Sequence, residues 1–277
     1  VIEASSYQLE YSKLFKTNIS LILNISPDHL ERHKTINKYV SAKFKLVKNQ
    51  SKKGFAILNT NNFYIKRELE SKNYLPKIIK VKKNVNSIFL KKINNQYFNT
   101  EGNKENLKFI LEVAKILKLK KNLLVKTIEK FKGLKYRQQI IFQSKKLTII
   151  NDSKATTFSS STSLLRSLTN VHWIVGGQGK KGDKLLLSKK NCKNIKAYVF
   201  GNNKNFFINK LKKLIEYESF IDLISLVKKL SLEIKADKNK TYKTILFSPS
   251  AASFDNFKNF EKRGEYFNQL IKKYINV

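Results

Sequence analysis

IINDSKATT, residues 149–157, is an apolar strand that ends in polar residues and runs directly into a helix. Working outward, strand-like and helix-like runs alternate along the chain. The strands are predicted at 138–142, 147–150, 171–176, 195–200 and 243–247. The helices are predicted at about 157–169, 204–215, 222–235 and 257–275. This alternation is typical of an α/β protein with a mostly parallel sheet.

The first half of the chain shows the same alternation. Its predicted elements are a strand at 1–4, a helix, a strand at 20–25, a helix at 36–48, a strand at 55–58, then a helix and short strands to about residue 99. Two helices, Asn103 to Leu119 and Asn122 to Phe131, follow before Gly133 ends the region. We therefore predict two domains, residues 1–133 and 134–277.

Composition indicates a globular protein, because 41% of the 277 residues are hydrophobic and 12% are aromatic. The lone Cys192 gives no internal disulfide and no apolar run is long enough to span a bilayer, so we expect a cytoplasmic protein. The chain begins at Val1, contains no methionine and opens on a strand-like run. These features predict a fragment that is truncated inside a domain.

The formal net charge of +36 raises the alternative of a basic nucleic-acid-binding protein. Only five of the 56 basic residues are arginine, the side chain that specific readers of nucleic acid use for bidentate contacts. The lysines are scattered among Asn and Ile, as expected for an AT-rich genome. Weak, salt-sensitive binding to polyanions is expected, and specific recognition of nucleic acid is not.

Three residues in the first half could carry chemistry. Glu3 lies in the apolar opening run VIEASSYQLE, where a carboxylate is either paired, bound to a metal or simply exposed at a strand end. His29 follows a strand in LNISPDHLERH and is either a ligand or base, or an ordinary loop residue. Lys43 lies on the apolar side of a helix, where a lysine usually extends its amine to water.

Polar loops also follow three strands in the second half. In 149–157 the Ser and Thr residues either cap a helix or help its amino terminus to hold an anion. GGQGKKGD, residues 176–183, permits close approach of a ligand to the backbone but is not a Walker A loop. The block at 247–264, FSPSAASFDNFKNFEKRG, suits a backbone pocket, although its phenylalanines at every third position also fit a core stripe.

Taken in order, these five stretches resemble the Mur ligase family, and in particular its D-glutamate-adding members, along almost the whole chain. The resemblance implies part of a central, ATPase-type parallel-sheet domain followed by a Rossmann-like α/β domain. It implies ATP-dependent ligation of D-glutamate to UDP-N-acetylmuramoyl-L-alanine through an acyl phosphate, with Mg²⁺ and lysine neutralising the phosphoryl oxygens. A folylpolyglutamate-synthetase-like amide ligase is the alternative of the same fold.

The resemblance also implies a role for particular residues. Metal ligation falls to Glu3, His29 and a carbamylated Lys43 at two Mg²⁺ sites, and Lys154 joins His29 and Lys43 in catalysis. The nucleotide contacts are Asn103, Asn106, Arg137 and Asp152. The substrate contacts are Ser5 and Gln8 for the muramoyl substrate, and Thr156, Lys180, Ser253 and Phe260 for D-glutamate.

The chain departs from the family pattern at Thr157, where Asn is usual, and at Gly102, where a histidine often stands. It also contains no Walker A loop and no UDP-binding domain. We therefore expect residues 1–277 to be inactive alone, and the complete protein to be a monomer that acts on small molecules, without a membrane or specific nucleic-acid partner.

Overall fold

The computed structural model describes residues 1–27, 29–81, 95–180, 182–237 and 241–276. The chain divides into two compact units. The first unit is Val1–Asn94 with Gly102–Glu129, and the second is Asn95–Glu101 with Lys130–Val277. Among the described residues, no helix is both long and apolar enough to cross a membrane.

The first unit is built on a parallel three-stranded sheet of order β1-β2-β3. Its elements are α1 (Ser6–Tyr11), β1 (Ile19–Ile22), α2 (Leu30–His33), α3 (Ile36–Lys48), β2 (Phe55–Asn59), α4 (Phe63–Ser71), β3 (Lys77–Val81), α5 (Glu101–Ile116) and α6 (Lys121–Lys130). The central strand β2 is buried on both faces, with Leu58 packed towards α3 and α4 and Ile57 towards α5. Burial on both faces is what a continuous apolar strand in a parallel sheet requires.

The predicted strand at 1–4 is wrong. Residues 1–5 form no strand in the structure, and Val1, Ile2 and Glu3 are exposed. An apolar run becomes a strand only when a neighbour completes its hydrogen-bond ladder. No described strand lies beside these residues. Of the short strands predicted before residue 99, β3 is present, residues 82–94 lie outside the described part, and Gln96–Asn99 form a 3-10 helix.

The second unit contains a six-stranded sheet of order β4-β5-β9-β6-β7-β8, in which β4 is antiparallel to β5 and the other neighbours are parallel. Its elements are β4 (Gln139–Gln143), β5 (Leu147–Asn151), α7 (Phe158–Ser167), β6 (Val171–Gly176), α8 (Lys189–Cys192), β7 (Ile195–Phe200), α9 (Lys204–Leu211), β8 (Glu216–Phe220), α10 (Leu223–Ala236), β9 (Lys243–Phe247) and α11 (Phe260–Ile275). Helices cover both faces of this sheet. The predicted α/β class is confirmed.

Strand β8 was not predicted, because its sequence EYESF alternates charged and aromatic residues. It lies at the edge of the sheet and pairs only with β7 in the described residues. Lys196 of β7 forms ion pairs with both of its glutamates, at 3.7 Å to Glu216 and 2.6 Å to Glu218. Charged side chains of this kind protect an edge strand from pairing with other chains.

A buried polar chain crosses the early part of β6 and β7. Tyr198 is fully buried and its hydroxyl donates to Glu233 of α10. The Nδ1 atom of His172 lies 2.9 Å from the same hydroxyl. Burial is the largest cause of the lowered pKa of His172. The tyrosine hydroxyl thus links β6, β7 and α10. Its removal takes one hydrogen bond from His172 and one from Glu233. Glu233 keeps its ion pairs with Lys196 and Lys229, at 3.5 and 3.7 Å.

We predict that Tyr198→Phe lowers the free energy of unfolding by about 1–3 kcal/mol, because Glu233 and His172 each lose a hydrogen bond that water cannot fully replace. Urea denaturation measures this change. Tyr217→Phe, on the exposed side of β8, is the matched control and is expected to change stability by less than about 0.5 kcal/mol. Equal effects of the two substitutions would contradict the role given to the buried hydroxyl.

Candidate functional site

In the first unit, the structure brings His29 and Lys43 to the same aromatic ring. The His29 and Tyr39 ring centroids are 6.4 Å apart, and the Lys43 amine lies 5.2 Å from the Tyr39 centroid. Tyr39 and Lys43 are one turn apart on α3, so their side chains share a face of the helix. Tyr7 of α1 packs edge-on against His29, with centroids 5.0 Å apart. Sequence reasoning gave Tyr39 no role.

The donor atoms around Tyr39 do not yet make a magnesium site. They are an imidazole and an amine, whereas Mg²⁺ prefers oxygen. Glu3 is exposed on the segment before α1. No group of three or more His, Cys, Asp or Glu that could hold a metal occurs among the described residues. A carboxylate on Lys43 would add oxygen donors near the Tyr39 ring.

Ser5 and Gln8, predicted to contact substrate, form a capping box at the start of α1. The Gln8 amide donates to Ser5 Oγ at 3.2 Å, and the Ser5 amide donates to Gln8 Oε1 at 2.8 Å. Both side chains are exposed, but each already satisfies a free backbone N–H of the helix. Their local role is to fix the start of α1, and a role towards substrate stays a prediction.

Asn103 and Asn106, the predicted adenine contacts, lie three residues apart on α5. Asn103 is buried, whereas Asn106 is half-buried. Between them, the Glu105 side chain accepts a hydrogen bond of 2.8 Å from Asn59 at the end of β2. This bond ties α5 to the carboxyl end of the central strand, which is where ligands bind in open parallel sheets.

In the second unit, three loops meet because β5, β9 and β6 are neighbours and parallel. We call them the β5 loop (152–157), the β6 loop (177–188) and the β9 loop (248–259). Gln178 and Ala252 pair through two backbone hydrogen bonds of 3.0 and 3.1 Å, which join the β6 and β9 loops. A Cβ on Gly177 would lie 2.8 Å from the Ala252 carbonyl oxygen, so this approach requires glycine.

The same loops carry the predicted D-glutamate contacts. Lys180 is two residues after Gln178, and the buried Ser253 directly follows Ala252. On the other side, Asp183 of the β6 loop accepts a hydrogen bond of 2.6 Å from the backbone N–H of Phe158, two residues after Thr156. The structure therefore gathers the segments that carry Thr156, Lys180 and Ser253, with both Thr156 and Lys180 exposed.

Phe260 and Lys154 are in direct contact. The Lys154 amine lies 4.0 Å from the Phe260 ring centroid, and Ser153 Oγ donates to the Phe260 carbonyl at 2.8 Å. The alternative of a core stripe fails at Phe254, which is 73% exposed. Phe260 is half-buried at the start of α11, with its ring under a cation.

Arg263 holds the β5 and β9 loops together. It is 1% exposed. Its Nη2 donates to the Ser153 and Ala251 carbonyls at 2.7 and 2.9 Å, and its Nη1 donates to the Ala252 carbonyl at 3.2 Å. Its Nε donates to Ser153 Oγ at 3.1 Å. Sequence reasoning gave Arg263 no role, although an arginine inside an apolar helix stripe of a lysine-rich chain is a usable signal.

Asp152, predicted to hold the nucleotide, is 5% exposed and bound within the unit. Its carboxylate accepts from the Gln138 amide at 3.0 Å and from Ser248 Oγ at 2.8 Å. Burial raises the pKa of Asp152 to about 7, against the opposing effect of these hydrogen bonds and of Arg137. Asp152 thus fixes the backbone next to Arg137. Of these two predicted nucleotide contacts in the second unit, Arg137 is the more accessible.

Known proteins match both units of the chain. Residues 1–127 match the Mur ligase middle domain. Nearly the whole chain aligns with curated UDP-N-acetylmuramoylalanine–D-glutamate ligases: the protein of Rickettsia felis is 32% identical over 99% of this chain and 65% of its own length. That of Rickettsia prowazekii is 33% identical over the same shares, and that of Francisella philomiragia 30% identical over 98% and 64%.

The chain is similar to members of the Mur ligase family along nearly its whole length. It spans about 65% of the length of the two Rickettsia ligases named above. The fold agrees with solved family members. The match to the MurF ligase of Thermotoga maritima in complex with ADP covers 99% of this chain and 66% of the MurF chain, at a TM-score of 0.65 and 13% identity. MurF of Acinetobacter baumannii covers 98% and 62%, at a TM-score of 0.64 and 14% identity.

We predict that Arg263→Met lowers the free energy of unfolding of the second unit by about 2–4 kcal/mol, because buried carbonyl oxygens of two loops lose their donor. Chemical denaturation followed by the fluorescence of Trp173, a buried residue of β6, reports on this unit. Lys262→Met, at the preceding exposed position, is the control and is expected to be nearly neutral. A neutral Arg263→Met would show that the loops do not need the guanidinium.

We predict that Asp152 makes stability fall as pH rises from about 4 to about 7. Burial raises the pKa of Asp152 to about 7 in the folded state, above the ordinary value of an aspartate, so the folded state holds the proton more tightly and loses this advantage on ionisation. The contribution is at most about 4 kcal/mol over this window. Asp152→Asn keeps the shape without the titration.

The measurement is the difference in free energy of unfolding between the wild type and Asp152→Asn, taken at several pH values between 4 and 7. Because burial raises the pKa of Asp152, we expect the wild type to lose stability relative to Asp152→Asn as the pH rises. A difference that stays constant, or that grows in favour of the wild type, would contradict the raised pKa.

Proposed function

We propose that the protein containing this chain ligates D-glutamate to UDP-N-acetylmuramoyl-L-alanine, with ATP converting the substrate carboxylate to an acyl phosphate that the amine of D-glutamate attacks. The alignment of 99% of the chain with ligases of that name is the observation that carries this proposal. Because the chain spans about 65% of their length, the activity is proposed for the protein as encoded, and residues 1–277 alone are expected to be inactive.

The loops of the second unit support an acidic amino acid as one substrate. D-glutamate presents two carboxylates, and these need cationic or hydroxyl donors held at a fixed separation. Lys180 and Thr156 are exposed on loops that converge, and Ser253 is fixed between Ala252 and the turn that follows. We propose that these three residues and Phe260 bind D-glutamate. The Lys154 amine lies over the Phe260 ring, and we propose that it neutralises the developing charge of the acyl phosphate.

We propose that Asn103, Asn106 and Arg137 contact the nucleotide. Asp152 acts on Arg137 through the backbone, since its carboxylate binds the amide of the next residue, Gln138. This role suits its burial better than direct contact with a nucleotide.

We propose that Mg²⁺ is held at two sites by Glu3, His29 and a carbamylated Lys43. Carbon dioxide on the Lys43 amine would give a carboxylate at the end of a long side chain, near the Tyr39 ring. That group would supply the oxygen donors that Mg²⁺ prefers, and the metal would neutralise phosphoryl oxygens. Ser5 and Gln8 are proposed to face the muramoyl substrate, and the protein is proposed to act as a cytoplasmic monomer.

The test is turnover by the protein as encoded, including whatever residues accompany 1–277, with UDP-N-acetylmuramoyl-L-alanine, ATP and Mg²⁺. We expect a product one glutamyl residue larger with D-glutamate and none with L-glutamate, detected by mass spectrometry. Lys180→Gln should raise the KM for D-glutamate at least tenfold, because a carboxylate loses its cation.

Lys184→Gln is the control on the same loop, at an exposed lysine four residues later, and should leave the KM within about twofold. Ligation of glutamate to a folate instead of the muramoyl substrate would support the other amide ligase. Binding to nucleic acid that keeps a sequence preference above physiological salt would favour the nucleic-acid alternative.

A further inference from the structure

The first unit contains a cavity of about 320 Å³, away from His29 and Lys43, that the proposed reaction does not use. It lies between the end of β3, the second half of α5 and the start of α6. Its apolar lining is Val81, Leu111, Ala114, Leu119 and Leu124. The volume is at the lower end of the range for small-molecule sites, which is about 300–1,000 Å³.

The turn between α5 and α6 forms one wall of this cavity. Lys118 adopts a left-handed conformation with φ of 51°. The Leu119 amide donates to the Ala114 carbonyl at 2.9 Å, and the Lys118 amide donates to the Lys115 carbonyl at 3.1 Å. This is the hydrogen-bond pattern of a Schellman turn, which here folds Leu119 back towards Ala114. A lysine in this conformation is less favourable than glycine.

Lysines surround the apolar lining. Five of them line the cavity, namely Lys80, Lys108, Lys115, Lys118 and Lys121. Glu112 is the one acidic residue among the described residues that line it, and it bonds to Lys115 at 2.7 Å. Lys80 and Lys118 are exposed at two different edges. An apolar interior with a cationic rim complements a ligand that has an apolar body and an anionic head.

We propose that this cavity binds a medium-chain alkyl carboxylate, with the chain against Ala114 and Leu111 and the carboxylate among the rim lysines. A volume of about 320 Å³ suits a small molecule. A stable protein partner instead buries about 800 Å² of surface on each side. A neutral apolar molecule would gain nothing from the exposed amines of Lys80 and Lys118. Lysine suffices for a carboxylate head, since a single anionic group needs point charges and no rigid fork.

The test is titration of the whole chain with sodium decanoate at physiological salt, below the concentration at which decanoate forms micelles, by calorimetry and by NMR. We expect saturable one-to-one binding, with shifts confined to residues 108–124 and the end of β3. 1-Decanol, which has the same chain without the charge, should bind at least fivefold more weakly, and acetate should not bind.

Two pairs of substitutions separate this site from general charge. Lys80→Glu with Lys118→Glu should weaken decanoate binding at least fivefold. Lys52→Glu with Lys53→Glu, at exposed positions of the same unit before β2, changes the net charge equally and should leave affinity within twofold. Ala114→Leu, which fills the cavity, should weaken decanoate and decanol alike.

Several outcomes would overturn the proposal. They are no saturable binding of decanoate, binding with many equivalents, equal losses in the two charge-reversal pairs, or full affinity in Ala114→Leu. Circular dichroism of each variant checks that it is folded. If Ala114→Leu does not fold, the comparison of the two charge-reversal pairs still decides the question.

Discussion

The guanidinium of Arg263 is the contact on which the candidate site of the second unit depends. It is buried, and it donates to the backbone of two loops that follow different strands. A buried cation is tolerated only when its donors are satisfied, and here carbonyl oxygens satisfy them. Those carbonyls belong to Ser153, which lies between Asp152 and Lys154, and to Ala251 and Ala252, which precede Ser253. One side chain therefore fixes the backbone beside Asp152, Lys154 and Ser253.

The loop contacts of the candidate site and the stabilising contacts of Tyr198 and Lys196 lie at different places along the strands. Strands β5, β9 and β6 are parallel neighbours, so the loops that follow them lie at the same edge of the sheet. There the backbones of the β6 and β9 loops pair with each other. Nearer the amino-terminal ends, Tyr198 and Lys196 bind glutamates of β8 and α10. This division matches the general rule that ligands bind at the carboxyl edge of open parallel sheets.

Sequence patterns predicted the buried strands best. The predicted bounds of 171–176, 195–200 and 243–247 are those of β6, β7 and β9, because strands covered on both faces are continuous apolar runs. The charged edge strand β8 lacks that signal and was missed, and the apolar run at 1–4 has no described partner. The convergence of the β5, β6 and β9 loops was predictable from strand ends. The position of Arg263 in an apolar helix stripe was a usable signal, but its partner was not predictable, because a contact with Ser153, 110 residues away, leaves no local pattern.

The most direct measurement of the central claim is an NMR titration of the isotopically labelled chain with D-glutamate. We expect the chemical-shift changes to fall on residues 152–157, 177–180 and 250–253 together, and we expect L-glutamate at the same concentration to produce much smaller changes. Shifts scattered over surface lysines, identical for the two enantiomers and abolished by moderate salt, would contradict it, since they would show charge attraction without a built site.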